Sequence, residues 1–336
     1  MEQKRNDNTF RNLLRKDEAG MTIFLVGLCL LVGLFNNSFF LLTNIINILR
    51  TSALTILVGV GLTYVLISGH IDLSLGSTIG LGGMVTGILI FDGWPIWIGI
   101  LCGIAAGGLV GVFNGIIIAY FKIPPLIVTL GSMYIVRGVV HVISGGRTIY
   151  PFPPAFIALG GRGGFLGIPV MVWFTLLICV AASIVLKRTV FGRCIYAIGG
   201  NKETARLSGI KVNKFIVLAY IMTGCLAASS GIFQAARVNS AIANAGTGWE
   251  LTVMAAVIIG GTSMFGGVGS IFGTVVGALV LTVLTNGMVM LSINAYWQSI
   301  VSGGIIIAAV GMDQYKRLRI NNRKQKVKNV SPQAGR

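Results

Sequence analysis

The sequence predicts an all-α, polytopic membrane protein, and three observations predict it. Only 10% of its 336 residues are charged while 54% are hydrophobic, where an ordinary soluble domain carries about 25% charged residues. Apolar runs of bilayer-spanning length recur along the chain, without the period-2 alternation of a β-barrel. The 47 glycines would weaken soluble helices but let membrane helices approach one another closely.

Residues 1–20 are polar and basic, and Met21–Phe35 follows with no small-residue cleavage site, so the first apolar run reads as a retained span. Ten spans account for the apolar runs: 21–36, 44–68, 73–91, 95–121, 124–144, 166–186, 214–235, 251–265, 269–291 and 294–312. Several are short or long for a flat bilayer, which points to tilts and breaks. An even count puts both termini on one side. The Gly- and Pro-rich loop 145–165 falls on the other side, as does 236–250, and the former is expected to be ordered against neighbouring spans.

The net charge of +17 invites a nucleic-acid reading, which its distribution excludes. Of the 26 Lys and Arg, five lie in 1–20, seven in 187–214 and eight in 316–336, and Lys122 lies in another short loop on the same side. That is the positive-inside pattern, with attraction to anionic headgroups of the lipid bilayer as a consequence. Arg147, Arg162 and Arg237 fall in loops on the opposite side, and Arg50 and Arg137 inside spans. The five cysteines have no metal or redox spacing. His70 and His141 belong to no ligand cluster, and neither a Gly-x-Ser-x-Gly elbow nor a phosphate-binding Gly-x-x-x-x-Gly-Lys loop occurs. No catalytic residue, metal site or bound cofactor is expected, and the chain is not an ATPase.

An internal repeat is visible. Asp72-Leu73-Ser74 is followed ten residues on by Gly82-Gly83, and Glu250-Leu251-Thr252 is followed ten residues on by Gly260-Gly261. Asn114-Gly115 and Asn286-Gly287 end comparable spans, 42 and 36 residues past the acidic residue. Five spans separate the copies, an odd number, so the copies are inverted, as in transporters whose halves rock about a pathway. Asp72 is expected to cap the third span at the cytoplasmic interface, with Ser74 in its first turn and His70 as a polar interfacial neighbour. Glu250 and Thr252 would form the equivalent hinge at the opposite face.

In the loop 187–213, Gly199-Gly200 breaks the chain, Asn201 is an N-cap and Glu203 sits in the first turn of a helix of about two turns. Ser208-Gly209 ends it. An ordinary basic surface helix has this composition, but a capped, rigid helix between spans is also what mechanical coupling to a soluble partner requires. The run from Phe191 to Ile210 resembles the cytoplasmic coupling loop of permease subunits in bacterial sugar ABC importers, the ribose, galactose, arabinose and xylose family. "IDLSLGS" at 71–77 is similar to that family's Gly-x-Asp-Leu-Ser signature, although His70 stands where many members have Gly. "TLGSMYIVRG" (129–138) and "ELTVMAAVIIGGTSMFGGVGSIFGT" (250–274) match as well, and the resemblance runs in order over 21–315.

The resemblance implies a type II importer-like permease in the bacterial inner membrane with cytoplasmic termini. It divides the chain into an N-terminal segment 1–20, a transmembrane permease domain 21–315 and a basic tail 316–336. A second permease, identical or a paralogue, would pair with it. A separate ATP-binding cassette ATPase would use ATP and Mg, and a periplasmic sugar-binding protein would deliver substrate. Gly200, Asn201, Glu203, Ala205, Arg206 and Gly209 would then carry the coupling.

A neutral sugar calls for Ser, Thr, Asn and aromatic faces along its path more than for charges. Asn47, Asn114, Arg137 and Asn286 are pathway candidates, together with Asn44, Thr63, Ser132 and Gln298, although each also suits a helix–helix hydrogen bond. Arg137 and His141, spaced i, i+4, share a face. An amino-acid-type ABC permease and an ion-coupled secondary transporter, with Asp72 and Glu250 as its acidic sites, are the alternatives.

Overall fold

A computed structural model describes residues 17–161 and 164–330, so Arg162, most of the N-terminal basic segment and the last six residues of the tail lie outside the described residues. Each apolar run carries a helix. In order these are α1 (Asp17–Phe35), α2 (Leu42–Ile67), α3 (Leu75–Phe91), α4 (Ile96–Tyr120), α5 (Pro125–Ser144), the short α6 (Pro154–Gly160) and α7 (Val170–Arg188). The short pair α8 (Val190–Gly200) and α9 (Lys202–Leu207) precedes α10 (Val212–Val238), α11 (Trp249–Ile259), α12 (Ile271–Met290) and α13 (Ala295–Val330).

Six of them are long and apolar enough to cross a membrane: α2, α4, α5, α7, α10 and α12. The chain therefore crosses the bilayer several times. The run at 251–265 departs from expectation. Its helix ends at Ile259 and spans only about 16 Å at 1.5 Å per residue, about half a hydrocarbon core. The rest, 260–270, is irregular, with left-handed Gly261, Gly266 and Gly267.

Prolines place several helix starts. Pro125 and Pro154 occupy the first turns of α5 and α6, where the missing N–H is no loss. The described first part of the loop, 145–161, packs against its neighbours, as expected. Ile149 and Ala241 exchange two backbone hydrogen bonds of 3.0 Å, and Phe152 and Phe156 are buried in a core shared with Met84 and Ile232. The larger core surrounds α2, whose Leu57, Leu62, Tyr64, Leu66 and Ile67 are fully enclosed.

Close contacts fix the helix directions. On α2 and α10, Leu54 meets Ser230 and Gly61 meets Thr223, so these helices are antiparallel. The pairs Thr63–Thr274 and Asn44–Asn286 set α12 antiparallel to α2. Similarly, α4 runs against both α3 (Gly99 on Thr86, Gly103 on Gly82) and α10 (Gly107 on Gly224, Gly115 on Val217), while Ala256 against Gly277 opposes α11 to α12. It follows that α3 is parallel to α10 and α11 antiparallel to it. The triplet α2–α3–α4 and the triplet α10–α11–α12 are thus inverted copies, as the repeat predicts.

The seam between α4 and its neighbours depends on Gly99, Gly103, Gly107, Gly111 and Gly115, spaced four apart, which let backbones touch. A Cβ at Gly111 would stand 2.7 Å from the Ile221 Cα. Gly111→Val is therefore expected to cost about 1–3 kcal/mol and to lower the thermal midpoint of the detergent-solubilised protein. Gly131→Val, on α5 with nothing within 4 Å of its Cβ position, serves as the control that leaves it unchanged.

Candidate functional site

The two acidic repeat positions sit beside breaks in the helical bundle. Between α2 and α3 the chain is non-helical over 68–74, and between α10 and α11 over 239–248. The first segment doubles back from the end of α2 into the protein. Its Ile71 carbonyl accepts from the Tyr220 hydroxyl at 2.8 Å, and Tyr220 lies eight residues into α10, about 12 Å along that helix. Asp72 is only 3% exposed. Its Oδ1 accepts from the Ser74 N–H at 2.9 Å and the Ser74 hydroxyl at 2.6 Å, and that hydroxyl in turn accepts from the Asn114 amide at 2.9 Å.

This corrects the expected placement at the cytoplasmic interface. The carboxylate is inside, and hydrogen bonds together with the α3 dipole, in place of water, offset its desolvation. Nor is it the N-cap itself. Ser74 holds that position, and Asp72 braces Ser74 from two residues upstream, as in an Asx turn. His70 is buried too, its Nδ1 at 3.0 Å from the Ser68 hydroxyl. Burial lowers its imidazole to about 4, and the Lys202 ammonium adds to that shift, so the ring is neutral at neutral pH.

The second segment enters from the far end of α10 and runs down α3, with Ala241 against Gly87, Ala243 and Ala245 against Gly80, and Gly246 against Gly76. Gly76 and Gly80 leave room for this backbone. The Glu250 carboxylate, in the first turn of α11, also lies against Gly76. The expectation of two hinges at opposite faces is thus overturned: the first turns of α3 and α11 meet inside the bundle. Two helix N-termini then face the Glu250 carboxylate, and it also feels the charge of Arg137. Thr252, one turn from the start of α11, bonds its own Gly248 carbonyl at 3.4 Å.

The Arg137 guanidinium donates to the carbonyls of Ala243 and Ala245 at 2.6 and 2.8 Å, holding the re-entrant segment on α3. His141, one turn on, meets the Asn244 amide oxygen at 3.2 Å. Other pathway candidates are occupied by packing. Asn286 pairs with Asn44 at 2.9 Å, Thr63 with Thr274 at 2.6 Å, and Ser132 and Gln298 bond carbonyls of their own helices or turns. Asn114 is fully buried, and Asn47 is exposed on α2.

In the basic loop between α7 and α10, α9 has the expected form. The Asn201 side chain accepts from the Thr204 N–H at 2.9 Å, Glu203 pairs with Arg206 at 2.9 Å, Ala205 is buried against the bundle, and Gly209 is left-handed at φ +81°. Gly200 is exposed and ends α8, so the break falls at Asn201 and not at the two glycines. Sequence reasoning missed α8, which packs beside the first break and on the 260–270 loop that follows α11. Its Tyr196 hydroxyl donates to the Gly269 carbonyl at 2.6 Å, and Gly199 packs on the Ile67 carbonyl, which accepts from the Gly267 N–H at 2.8 Å. Sequence reasoning missed Gln234 as well, an amide in the apolar α10 beside the second break. Its signal was the one side-chain amide past the first turn of that helix.

An all-helical bundle of inverted halves, broken in its interior and carrying a capped helix pair in its longest basic loop, defines a transport permease. The chain belongs to the family described as "Branched-chain amino acid transport system / permease component", which matches residues 44–310. It is 38% identical over 296 residues to the ribose import permease protein RbsC of Haemophilus influenzae, covering 87% of this chain and 92% of that one. To the D-allose transport system permease protein AlsC of Escherichia coli it is 37% identical, covering 89% and 92%. To the L-arabinose transport system permease protein AraH of E. coli it is 36% identical, covering 90% and 92%. A solved ABC transporter of metal-chelate type, in an inward-facing conformation, shares the fold with a TM-score of 0.50 at 16% identity over 89% of this chain and 98% of that one. The protein is a permease component of ABC importers and not an enzyme; ATP hydrolysis belongs to a separate subunit, and an ATPase and a binding protein are its partners in kind.

Two substitutions probe these local structures. Asp72→Ala strips the acceptor from Ser74 and is expected to destabilise the solubilised protein by about 1–3 kcal/mol, whereas Asp72→Asn keeps an acceptor oxygen and recovers most of that loss in the same thermal melts. Asn201→Ala removes the α9 cap, worth about 1 kcal/mol. Amide exchange at Thr204 then accelerates about fivefold, read by hydrogen–deuterium exchange.

Proposed function

We propose that this chain is the membrane-spanning subunit of an importer that carries a monosaccharide unmodified across the bacterial inner membrane. One observation carries the substrate class. The relatives that match nearly end to end, at 36–38% identity, are import permeases for ribose, allose and arabinose. These are all neutral five- or six-carbon sugars. The chain itself binds no cofactor, and the partner ATPase uses ATP and Mg. Two permeases, identical or paralogous, form the pathway, and a periplasmic sugar-binding protein delivers the substrate.

In this reading the helices cross ten times, placing residues 1–20, the 187–213 loop and the tail 316–336 in the cytoplasm around the permease domain 21–315, in keeping with the Lys and Arg distribution. Gly200, Asn201, Glu203, Ala205, Arg206 and Gly209 then seat the α9 helix in the ATPase. Its displacement passes through α8 to the two interior breaks, where Asp72, Ser74, Glu250 and Thr252 mark the moving helix starts.

The family description, which names branched-chain amino acids, supports a second reading with the same architecture and a different cargo. Proteoliposomes holding permease, ATPase and binding protein separate the two. Uptake of radiolabelled D-ribose, D-allose or L-arabinose that requires internal ATP is the expected result. Uptake of L-leucine in place of all three sugars would transfer the chain to the amino-acid reading, and uptake that follows a sodium or proton gradient without ATP would remove it from ABC importers altogether.

A further inference from the structure

A cavity of about 290 Å³ lies between α3, α10 and the re-entrant 238–249 segment. Gly80, Gly83 and Met84 of α3 and Gly231 of α10 form its small-residue walls, and Gln234, Ser240, Asn244, Thr247 and Trp249 bring polar atoms and one aromatic face to it. We propose that this cavity is a binding site for one neutral monosaccharide, which takes the unpaired Gln234 amide as its interior anchor. The inference rests on the monosaccharide reading and assigns that sugar a place in the chain.

Three features of the cavity point the same way. The first is an unmet hydrogen bond. Gln234 Oε1 is buried and has no hydrogen-bond partner among the described residues, whereas buried acceptors are almost always paired. A sugar hydroxyl can both donate and accept, so it satisfies that amide in either orientation.

The second is charge. No Lys, Arg, Asp or Glu lines the cavity. Arg137, which reaches the same segment, is already engaged by the carbonyls of Ala243 and Ala245. An amino acid would bring an ammonium and a carboxylate, and each buried charge needs a paired group that this lining does not supply. A polyol needs only hydroxyls and amides. The Ser240 and Thr247 hydroxyls donate to the Val238 and Asn244 carbonyls and keep acceptor lone pairs, and Asn244 meets His141 through its oxygen and keeps its NH2. The Trp249 ring offers a face to the sugar's C–H side.

The third is size. About 290 Å³ is at the lower end of small-ligand pockets, roughly 300–1,000 Å³, and matches about ten waters. That is room for one five- or six-carbon sugar. The cavity's wall is also the segment that meets the α3 and α11 helix starts, so occupancy and the position of the break are mechanically linked.

The test uses the purified permease in nanodiscs, without ATPase or binding protein. D-ribose, D-allose, L-arabinose and, as a control, L-leucine are titrated to tens of millimolar while tryptophan fluorescence is followed. At least one sugar is expected to give a saturable change that L-leucine does not give and that Trp249→Phe reduces. Gln234→Leu, close in volume, is expected to raise the midpoint about two- to tenfold. Val238→Phe, which grows into the cavity from its half-exposed edge, is expected to remove the response while circular dichroism and gel filtration remain those of the parent.

The site is overturned if Gln234→Leu and Val238→Phe titrate as the parent does, or if the parent shows no saturable change although the complete transporter imports the sugar with ATP. A complete parent transporter that imports none of the three sugars overturns the monosaccharide reading, and the site with it.

Discussion

Non-helical backbone inside a helical membrane bundle must find every hydrogen bond within the protein, because lipid offers none. The segments 68–74 and 239–248 impose that requirement here, and much of the surrounding sequence answers it. The Ile67 carbonyl is met by the Gly267 N–H, the Ile71 carbonyl by the Tyr220 hydroxyl, and the Ala243 and Ala245 carbonyls by Arg137. Glycines at 76 and 80 remove the side chains that would hold the second segment away from α3. The breaks therefore persist because long-range partners over-determine them, and the bundle in turn has the inversion symmetry that two such breaks require.

A line of contacts joins the surface helix α9 to the backbone around these breaks. Ala205 seats α9 on the bundle, Asn201 is shared between the end of α8 and the start of α9, and α8 bonds through Tyr196 to Gly269 and packs through Gly199 on Ile67. Those two contacts join residues adjoining the 68–74 segment and the 260–270 loop that follows α11. A partner pushing on α9 would act on both inverted copies at once. Coupling needs an element with two arrangements that both ends bias, and the helix starts at Leu75 and Trp249 meet where Gly76 lies against Gly246 and Glu250.

The sequence disclosed much of this and withheld particular parts for physical reasons. Apolar runs and prolines located the helices because length and hydropathy are local properties. The paired Asp-Leu-Ser and Glu-Leu-Thr motifs disclosed the inversion, since an odd number of spans between copies settles their relative direction. The depth of Asp72 was not legible. An acidic residue before an apolar run reads as an interfacial cap, and only the contacts of its neighbours, Ile71 with Tyr220 and Ser74 with Asn114, 149 and 40 residues apart in sequence, carry it inward. The α8 helix was hidden by its own glycines, which read as breakers although Gly192 and Gly199 serve close packing against Leu186 and Ile67. In spans apolar on every side, periodicity says nothing about which face meets which neighbour. For that reason Asn286 and Asn114 looked as much like pathway residues as Gln234 does.

The distribution of commitments among polar groups sharpens the substrate question. Within the bundle Asp72 is satisfied by Ser74, Arg50 donates to the Gly161 carbonyl at 3.0 Å, and Arg237 donates to the Thr51 hydroxyl at 3.1 Å. Arg137 clamps the re-entrant segment, and the Glu250 carboxylate lies at the α3 helix start within its field. Each of these charges is thus used to hold the fold, and recruiting one to bind a charged substrate would expose a buried partner at a cost of several kcal/mol. Beside the cavity, Gln234 Oε1 has no partner among the described residues, and the Ser240 and Thr247 hydroxyls, which donate to the Val238 and Asn244 carbonyls, keep their acceptor lone pairs. A bundle that binds its charges tightly and leaves neutral polar groups spare is suited to a cargo that is itself neutral and rich in hydroxyls.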